Sequence, residues 1–582
     1  MNDILNNNIK EENDVDFIEH LNHWLEYLSE LYKTTDEQTK PKLKRQMRCL
    51  LEFYNGVNCN IHHNFLLQHY YSYSAKSINE DIFIEGMASN KKTQQNSSEK
   101  VKKFVDELKQ YSSTTSTSIV VDKPIQQCYQ TEDSAFQLIS KALVSNDLFF
   151  MQGPPGTGKT TAIVEIILQQ LKARSDAKIL VTSETHVAVD NALDRLAAVA
   201  PPKLRNGILR YPRFSISEFE SDYTEQTAAI GRADILWHRA YQIDSALTSV
   251  LWKELEPYKQ GKDDNLDLPY WQARNLAEMH QVVGVTCNQI AHLRDTNSPM
   301  FDLAIVDECS KATMPEWLMA MSIAQKCILV GDHKQLPPTF CTEASDVLDQ
   351  MEEYKGRLIR NGVIDRLFEN LPSSMKGTLG KQYRMLPEIG QFVSQHFYQG
   401  QLEHHRIKAD HGFCDFGWLN YHISNYRVPM QLTGEKKVLV NHIEVEIIMK
   451  QLSLMSKKLK AEQTGRKLSV ALITPYKAQR KALRDELKNW DFSSEMAIEV
   501  DTVDAFQGRQ ADVVFFSFVR NIGPATFYAD DRRLNVAISR ARDSVYFVGD
   551  MQYLKSKKLP VLDSLMKLPV LREYFQKTRV CP

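Results

Sequence analysis

Near the start of the chain, apolar residues recur at spacings of three and four, which is the pattern of a helix with one buried face. Two such stretches, residues 17–32 and 43–54, follow each other closely and predict a helical hairpin. The basic residues at positions 42–48 lie mainly off the apolar face of the second helix. They favour a solvated helix face over a surface that contacts phosphate.

Beyond about residue 131, the pattern changes to short apolar runs separated by helical stretches. Strands that are buried on both faces and joined by helices indicate parallel sheets, so the predicted fold class is α/β. The strand signal lapses between residues 211 and 280, where helical spacing predicts an inserted arm. The predicted strands cover residues 148–151, 179–182, 303–306, 327–330, 470–474, 513–518 and 545–548.

Composition excludes bulk disorder, because 43% of the 582 residues are hydrophobic and 25% are charged. The 71 lysines and arginines stand against 73 aspartates and glutamates, which gives a formal net charge of -2. A chain with this balance has no global positive field. Any nucleic acid would therefore have to bind in a local groove.

The cysteines and the apolar runs indicate in which cellular compartment the protein is expected. Nine scattered cysteines without a C-x-x-C pair indicate reduced thiols. Two groups of histidine and cysteine, at residues 59–63 and 404–414, lack the spacing of a structural zinc site. With no secretory signal and no run of 18 apolar residues, we expect no membrane partner, and a cytoplasmic location, or a nuclear one in a eukaryotic cell.

A phosphate-binding loop is the first candidate site. The residues Gly153-Pro154-Pro155-Gly156-Thr157-Gly158-Lys159-Thr160 fit the pattern G-x-x-x-x-G-K-[ST] between an apolar run and a helical run. In such a loop, backbone N–H groups surround the β-phosphate and the lysine reaches the β- and γ-oxygens. We expect this loop and Thr161 to bind a nucleoside triphosphate, and the Thr160 hydroxyl to ligate Mg²⁺.

A pair of acids forms the second candidate site. Asp307 and Glu308 follow the apolar run 303–306, so they are expected at the carboxyl edge of a sheet, where α/β proteins bind ligands. Asp307 is predicted to hold Mg²⁺, directly or through water, and Glu308 to orient and deprotonate the attacking water. A nucleoside kinase does not need that second acid, so the pair favours hydrolysis.

Further motifs follow in order, and together they resemble those of superfamily 1 helicases, specifically the up-frameshift-like branch of superfamily 1B (DNA2/NAM7-type). The resemblance spans roughly residues 130–550. The motifs are residues 153–160, 307–310 (DECS), 330–338 (VGDHKQLPP), 382–385 (QYRM), 473–476 (ITPY), 503–508 (VDAFQG) and 534–542 (LNVAISRAR).

The resemblance implies two tandem RecA-like P-loop domains with ATP in the cleft between them. It implies that Arg384 and Arg540 are arginine fingers that stabilise charge on the transferring phosphoryl group. Gln335 would contact the γ-phosphate or the attacking water, and Tyr383 would stack on the adenine. Gln510 stands where the family has an acidic residue, and its amide can still hydrogen-bond a ribose.

The resemblance also implies that a single strand of RNA or DNA crosses both domains and is held mainly through its phosphates. Hydroxyls and backbone amides suit contacts that do not depend on base sequence. For each candidate the alternative is a capping or core side chain. The residues that match the family's contact motifs are Thr185, His186, Thr286, Tyr476, Gln479 and Thr502.

Three further features depart from the family pattern. Ala135 stands where the family usually has a glutamine that reads adenine, with Gln130 and Gln137 nearby but displaced, and Thr185-His186 stands where Ser-Asn is typical. The N-terminal region reads as helical where close relatives have a small β-barrel. That region could therefore dock a protein partner of its own.

These observations predict three regions. A mainly α-helical N-terminal region covers residues 1–115 and ends at a serine- and threonine-rich linker. A first RecA-like domain covers residues 116–345, with a helical insertion at about 211–280, and a second covers residues 346–582. The expected function is an ATP-dependent motor on single-stranded RNA or DNA, with 5′-to-3′ polarity implied by the resemblance. The alternative is a nucleic-acid- or partner-gated ATPase switch that does not unwind processively.

Overall fold

The computed structural model describes most of the chain, and the described residues form two compact units, each built on a parallel sheet. The first unit contains Lys159–His333 and Pro337–Thr378 as well as the chain up to Gln152. The second contains Gly153–Gly158, Lys334–Leu336 and the chain from Leu379. The described residues are 17–36, 39–54, 121–145, 147–205, 207–211, 277–293, 300–362, 364–422, 430–433, 436–462, 466–506 and 508–575.

The sheet of the first unit has seven strands: β1 (Leu148–Gln152), β2 (Ile179–Ser183), β3 (Ile208–Arg210), β4 (Val282–Thr286), β5 (Phe301–Val306), β6 (Ala324–Gly331) and β7 (Lys376–Thr378). Their order is β3-β4-β2-β5-β6-β1-β7, and every pairing is parallel. The central strands are continuous apolar runs because helices cover both faces of the sheet.

Helices surround this sheet. Those described are α1 (Phe17–Thr34), α2 (Lys40–Tyr54), α3 (Ser134–Val144), α4 (Lys159–Ala173), α5 (His186–Val199), α6 (Pro202–Arg205), α7 (Met314–Met321), α8 (Thr342–Gln350), α9 (Glu353–Asn361) and α10 (Ile364–Asn370). Short 3₁₀ helices lie at Cys287–His292 and Ser373–Met375.

The predicted helical hairpin is α1 with α2, and it packs on the first unit. Trp24 and Tyr27 are each 2% exposed, and the ring of Phe340 lies 6.4 Å and 6.1 Å from theirs. At the rim, Lys355 Nζ is 3.1 Å from a carboxylate oxygen of Glu26. The apolar face that the sequence predicts is thus covered by residues that follow it by roughly 300 positions.

The second unit has a six-stranded parallel sheet in the order β14-β13-β15-β16-β10-β17, together with two small two-stranded sheets. The strands are β8 (Lys381–Gln382), β9 (Glu403–His404), β10 (Phe416–His422), β11 (Met430–Thr433), β12 (Lys436–Leu439), β13 (Leu468–Thr474), β14 (Met496–Thr502), β15 (Ala511–Ser517), β16 (Ala541–Gly549) and β17 (Val570–Phe575). The helices described are α11 (Pro387–Phe397), α12 (His442–Glu462), α13 (Lys477–Leu487), α14 (Asp531–Ile538), α15 (Met551–Lys555), α16 (Pro560–Leu565) and the 3₁₀ helix Thr526–Ala529.

The α/β class with two parallel-sheet units confirms the fold predicted from the sequence. The serine- and threonine-rich run and nearly all of the predicted helical insertion lie outside the described residues, and the domain limits stay predictions. In the part of the chain that the structure describes, no helix combines the length and the apolar character needed to cross a membrane.

Candidate functional site

The loop at residues 153–160 joins β1 to α4 in the strand-loop-helix order that its sequence predicts. Gly156 and Gly158 have φ of 74° and 82°, a left-handed region that glycine enters without steric cost. Thr157 Oγ1 donates a hydrogen bond of 2.8 Å to the Pro154 carbonyl and closes the turn. Lys159 then begins the 15-residue helix α4, so its side chain stands at a helix N-terminus, where phosphate is favoured.

The acid pair follows β5 directly. Glu308 has φ of 50°, a conformation that non-glycine residues rarely adopt and that is concentrated at functional sites. Its backbone N–H donates to Asp307 Oδ1 at 2.9 Å, which ties the two acids together. Lys159 Nζ lies 3.7 Å from Glu308 Oε1. The first unit thus brings three of the predicted catalytic and binding residues into one cluster.

Burial makes the carboxyl group of Asp307 harder to ionise, since the residue is 4% exposed. Burial first, and then the neighbouring Glu308 carboxylate, raise the pKa of Asp307 to about 7, while the Lys159 ammonium opposes the rise. A buried carboxylate of this kind gains from a hard divalent cation, which prefers oxygen ligands. The Asp307 carboxylate and the Thr160 hydroxyl are therefore a donor set that fits Mg²⁺.

In the second unit, Arg540 is 3% exposed and is held by three acceptors. Its Nη2 donates to Gln335 Oε1 at 3.0 Å, and its Nε and Nη1 donate to backbone carbonyls. Arg384 Nη1 donates to the Ser539 carbonyl at 2.9 Å.

The Tyr383 side chain is 49% exposed, and its backbone N–H donates to the Gly156 carbonyl. Gln510 is exposed.

Three nucleic-acid candidates lie in the first unit at the carboxyl ends of β2 and β4. Thr185 is exposed and caps α5, since its Oγ1 accepts a hydrogen bond from Ala188 N at 3.3 Å. Thr286 is 4% exposed and belongs to a capping box with Gln289. Both threonines therefore make the capping contacts that the sequence left as the alternative.

The third candidate, His186, contacts a buried arginine that sequence reasoning missed. Arg210 has no exposed surface, and its Nη2 lies 2.8 Å from His186 Nδ1. Arg210 Nε donates to Asp190 Oδ1 at 2.5 Å, and Nη1 donates to the carbonyls of Tyr211 and Gly284. Burial lowers the pKa of Arg210 to about 10. The sequence feature that could have revealed this buried arginine is a single cation at the end of an apolar run.

In the second unit, Tyr476 is half-buried just beyond β13, and Thr502 is 8% exposed at the end of β14. Gln479 has no exposed surface. Its Oε1 accepts from Asn441 N at 2.8 Å, and its Nε2 donates to Ser517 Oγ at 3.1 Å. As a direct contact Gln479 stays a prediction, and its surroundings are those of a core side chain.

Gln479 belongs to a buried polar network centred on Glu444, which sequence reasoning also missed. Glu444 is unexposed and accepts hydrogen bonds from Ser517 Oγ, Val519 N and Tyr421 OH. Burial raises the pKa of Glu444 to about 8, although these hydrogen bonds act in the opposite direction. The sequence feature that could have revealed this network is a glutamate on the apolar side of α12.

One cluster of three carboxylates, Asp410, Asp512 and Asp543, has the spacing of a metal site among the described residues. Arginines neutralise it: Arg406 Nη2 lies 2.5 Å from Asp543 Oδ1, and Arg542 Nη2 lies 2.8 Å from Asp410 Oδ2. The cluster is therefore an ion-pair network. The cysteines within the described ranges are all free.

Comparison with known proteins gives matches over both units. Two family models, each described as an AAA domain, match residues 360–552 and residues 130–242 with 238–343. The DNA-binding protein SMUBP-2 of Rattus norvegicus is 29% identical over 440 residues, which is 72% of this chain and 43% of that protein. An uncharacterized ATP-dependent helicase of Methanocaldococcus jannaschii is 29% identical over 482 residues, 72% of this chain and 68% of that protein.

A third relative is the DNA polymerase alpha-associated DNA helicase A of Saccharomyces cerevisiae, which is 28% identical over 463 residues. The match covers 71% of this chain and 64% of that protein. The chain thus spans 43% of SMUBP-2 and just under two thirds of the yeast helicase.

Proposed function

Because the chain belongs to the superfamily 1 helicases of the up-frameshift-like branch, we propose that it couples ATP hydrolysis to 5′-to-3′ movement on single-stranded RNA or DNA. The observation that carries the ATPase part is the geometry of Glu308. Its backbone is held at φ of 50° directly after a buried strand, and its carboxylate lies 3.7 Å from the Lys159 ammonium. An acid held in strain beside a phosphate-binding lysine suits the activation of water.

ATP binding involves residues 153–161, whose backbone N–H groups and Lys159 hold the phosphates. Tyr383 stacks on the adenine, which its exposed ring permits, and Gln510 hydrogen-bonds the ribose. Thr160 and Asp307 hold Mg²⁺, which supplies charge neutralisation at the phosphate oxygens. Ala135 stands where the family usually has its adenine-reading glutamine, and Gln130 and Gln137 are displaced from that place, so we propose reduced selectivity between ATP and other nucleoside triphosphates.

Hydrolysis uses Glu308 to take a proton from the attacking water while it orients that water. Arg384 and Arg540 stabilise the negative charge on the transferred phosphoryl group, because a planar guanidinium donates two parallel hydrogen bonds to phosphate. Gln335 contacts the γ-phosphate or the water. Its hydrogen bond to Arg540 fixes the two side chains relative to each other.

The nucleic-acid strand is held through its phosphates by Thr185, His186, Tyr476 and Thr502. In the first unit, Thr286 shapes the sheet edge near Thr185 and His186 by capping the 3₁₀ helix that follows β4. ATP-dependent changes in affinity move the protein along the strand. We place this activity in the cytoplasm, or in the nucleus of a eukaryotic cell, and propose that the N-terminal region also docks a protein partner.

The Glu308→Gln variant tests the catalytic assignment. We expect turnover to fall about 100-fold or more, because general-base catalysis contributes that much, while nucleotide binding persists. Steady-state phosphate release and binding of a fluorescent ATP analogue measure the two properties. Glu353→Gln, an exposed substitution on α9, is the matched control. Turnover at the wild-type rate in Glu308→Gln would remove Glu308 from the mechanism.

Strand displacement with 5′- and 3′-tailed RNA and DNA duplexes tests the motor. Unwinding of 5′-tailed duplexes alone supports the proposed polarity, and the better substrate identifies the nucleic acid. If single strands stimulate ATPase activity but no strand is displaced from any duplex, the result would favour the gated switch. Lack of stimulation by any RNA or DNA would contradict the nucleic-acid motor altogether.

A further inference from the structure

In the described part of the second unit, most arginines have carboxylate partners. Seven of the described arginines lie within 4.0 Å of a carboxylate oxygen: Arg406, Arg466, Arg480, Arg484, Arg509, Arg532 and Arg542. Within the described ranges, Arg520 and Arg533 have no carboxylate at that distance. Their positive charges are therefore available to an anion from outside the protein.

Both guanidinium groups lie instead against aromatic rings. Arg520 Nε donates to Tyr476 OH at 2.7 Å, and its guanidinium carbon is 5.6 Å from the centre of that ring. The ring of Phe527 is 6.3 Å from the Tyr476 ring, and Arg533 lies 4.6 Å from the centre of the Phe527 ring. We call these four side chains the arginine–aromatic row. Cations beside aromatic rings are characteristic of surfaces that bind single strands.

The row begins at the edge of the sheet where ligands of α/β proteins bind. Tyr476 follows the end of β13 by two residues, and Arg520 follows the end of β15 by three. These strands are neighbours in the sheet, and β14, which ends at Thr502, lies beside β13. The carboxyl ends of parallel strands meet at one edge, so the row lies beside a predicted contact residue.

A strained turn fixes the direction of Arg520. Val519 has φ of 72°, which is an outlier for a β-branched residue and persists only where the surroundings impose it. Both Glu444 carboxylate oxygens accept from Val519 N, at 3.0 Å and 2.8 Å, and Asn441 Nδ2 donates to the Val519 carbonyl at 2.9 Å. Arg520 N donates to the Phe518 carbonyl and completes the turn.

Gln479 is connected to the same turn through the buried hydrogen-bond network. It accepts from Asn441 N and donates to Ser517 Oγ, and Ser517 Oγ donates to Glu444 at 2.6 Å. Each of these side chains is buried, so the network is connected to the surface through Arg520. Gln479 is thus connected through Asn441 to the turn that carries Arg520.

We propose that Arg520 and Arg533 bind backbone phosphates of single-stranded nucleic acid, with Tyr476 and Phe527 holding their guanidinium planes, and that Gln479 and Glu444 are positioning residues for Arg520. The inference rests on the proposed function and extends it to two residues outside the matched contact motifs. Guanidinium groups suit this role because they pair with phosphate through parallel hydrogen bonds.

The test compares Arg520→Ala and Arg533→Ala with Arg532→Ala, whose guanidinium is bound to Asp530 at 2.9 Å. Each variant loses one positive charge, so net charge is matched. Fluorescence anisotropy measures binding of labelled oligo(dT) and oligo(U) over a range of KCl concentrations. We expect Arg520→Ala and Arg533→Ala each to weaken binding about tenfold, the effect of one lost charge-assisted contact. Each should lower the salt slope by about 0.7.

The control should bind like wild type, and ATPase activity without nucleic acid should be unchanged in all three variants. If wild type binds but Arg520→Ala and Arg533→Ala match Arg532→Ala, the arginine–aromatic row is not a contact. If wild type itself binds neither oligonucleotide, the proposed function fails and the inference fails with it. A loss for only one of the two oligonucleotides would contradict a phosphate contact, because both carry the same phosphates.

A double-mutant cycle tests the positioning role. Gln479→Leu should raise the nucleic-acid concentration needed for half-maximal ATPase stimulation and leave the maximal rate unchanged. The same substitution should have no further effect in the Arg520→Ala background, since the two act through one contact. Ser517→Ala replaces Gln479→Leu if that variant unfolds. Effects that add independently would overturn the positioning role.

Discussion

Arg210 illustrates how a single residue can keep a full charge in a core. It ends β3 without exposed surface, and four hydrogen bonds to Asp190, His186 and two carbonyls occupy its guanidinium. A guanidinium can only donate, so Nδ1 of His186 accepts and the ring proton lies on Nε2. One buried cation therefore sets the hydrogen-bonding character of a predicted contact residue.

Removal of the Arg210 side chain should lower the stability of the protein. We expect Arg210→Met to lower the free energy of unfolding by about 3–5 kcal/mol, because it leaves the Asp190 carboxylate buried without its cation. Urea unfolding followed by circular dichroism measures the change. The double variant Asp190→Asn with Arg210→Met should recover part of the loss. Equal instability of the single and double variants would contradict this explanation.

Residues with a local signal were predictable, and residues with a distant partner were not. Lys159 and Glu308 follow from a loop pattern and from an acid after an apolar run, both readable within ten residues. Arg520 depends on Tyr476, 44 positions earlier, and Gln479 depends on Asn441, 38 positions earlier. The positive φ of Val519 is imposed by the buried network and contradicts the local preference of valine.

At the scale of elements, the predicted strands are those that contain a short apolar run, such as residues 303–306 in β5 and 470–473 in β13. The sequence also missed interior strands such as β4 and β10. Three of the missed strands have identifiable reasons. β3 and β7 have three residues each and lie at the two edges of their sheet. β14 is an edge strand that carries Glu499 and Asp501, so its pattern is only partly apolar.

The helical hairpin makes a prediction at the same scale. Trp24→Ala should destabilise the first unit by about 3–5 kcal/mol, because it removes a buried aromatic ring from the contact with Phe340. Urea unfolding measures the loss. Leu51→Ala in α2 is the control, since Leu51 is 46% exposed and should change stability by no more than about 0.5 kcal/mol. Similar losses in both variants would contradict the packing described.

At the scale of the molecule, each unit has its own hydrophobic core. The core of the first unit includes Trp24, Phe150 and Trp317, and one core of the second includes Trp418 and Phe518. A net charge of -2 is compatible with nucleic-acid binding because carboxylates neutralise most of the described arginines of the second unit and leave Arg520 and Arg533 to act locally.

Separate cores predict separable unfolding transitions. Trp418 is unexposed and its Nε1 donates to the Leu565 carbonyl at 2.8 Å, so Trp418→Ala should destabilise the second unit. In differential scanning calorimetry, we expect Trp24→Ala and Trp418→Ala to lower the temperatures of different transitions. A shift of the same transition by both substitutions would mean that the two cores unfold as one.

The position of the hairpin also has a consequence for biosynthesis. The apolar face that contains Trp24 leaves the ribosome long before Phe340, the aromatic residue that covers it. At a synthesis rate of roughly 5–20 residues per second, the roughly 300 intervening residues take roughly 15–60 s to make. During that interval the hairpin presents an uncovered apolar surface. The nascent chain is therefore suited to capture by ribosome-associated chaperones until the first sheet is complete.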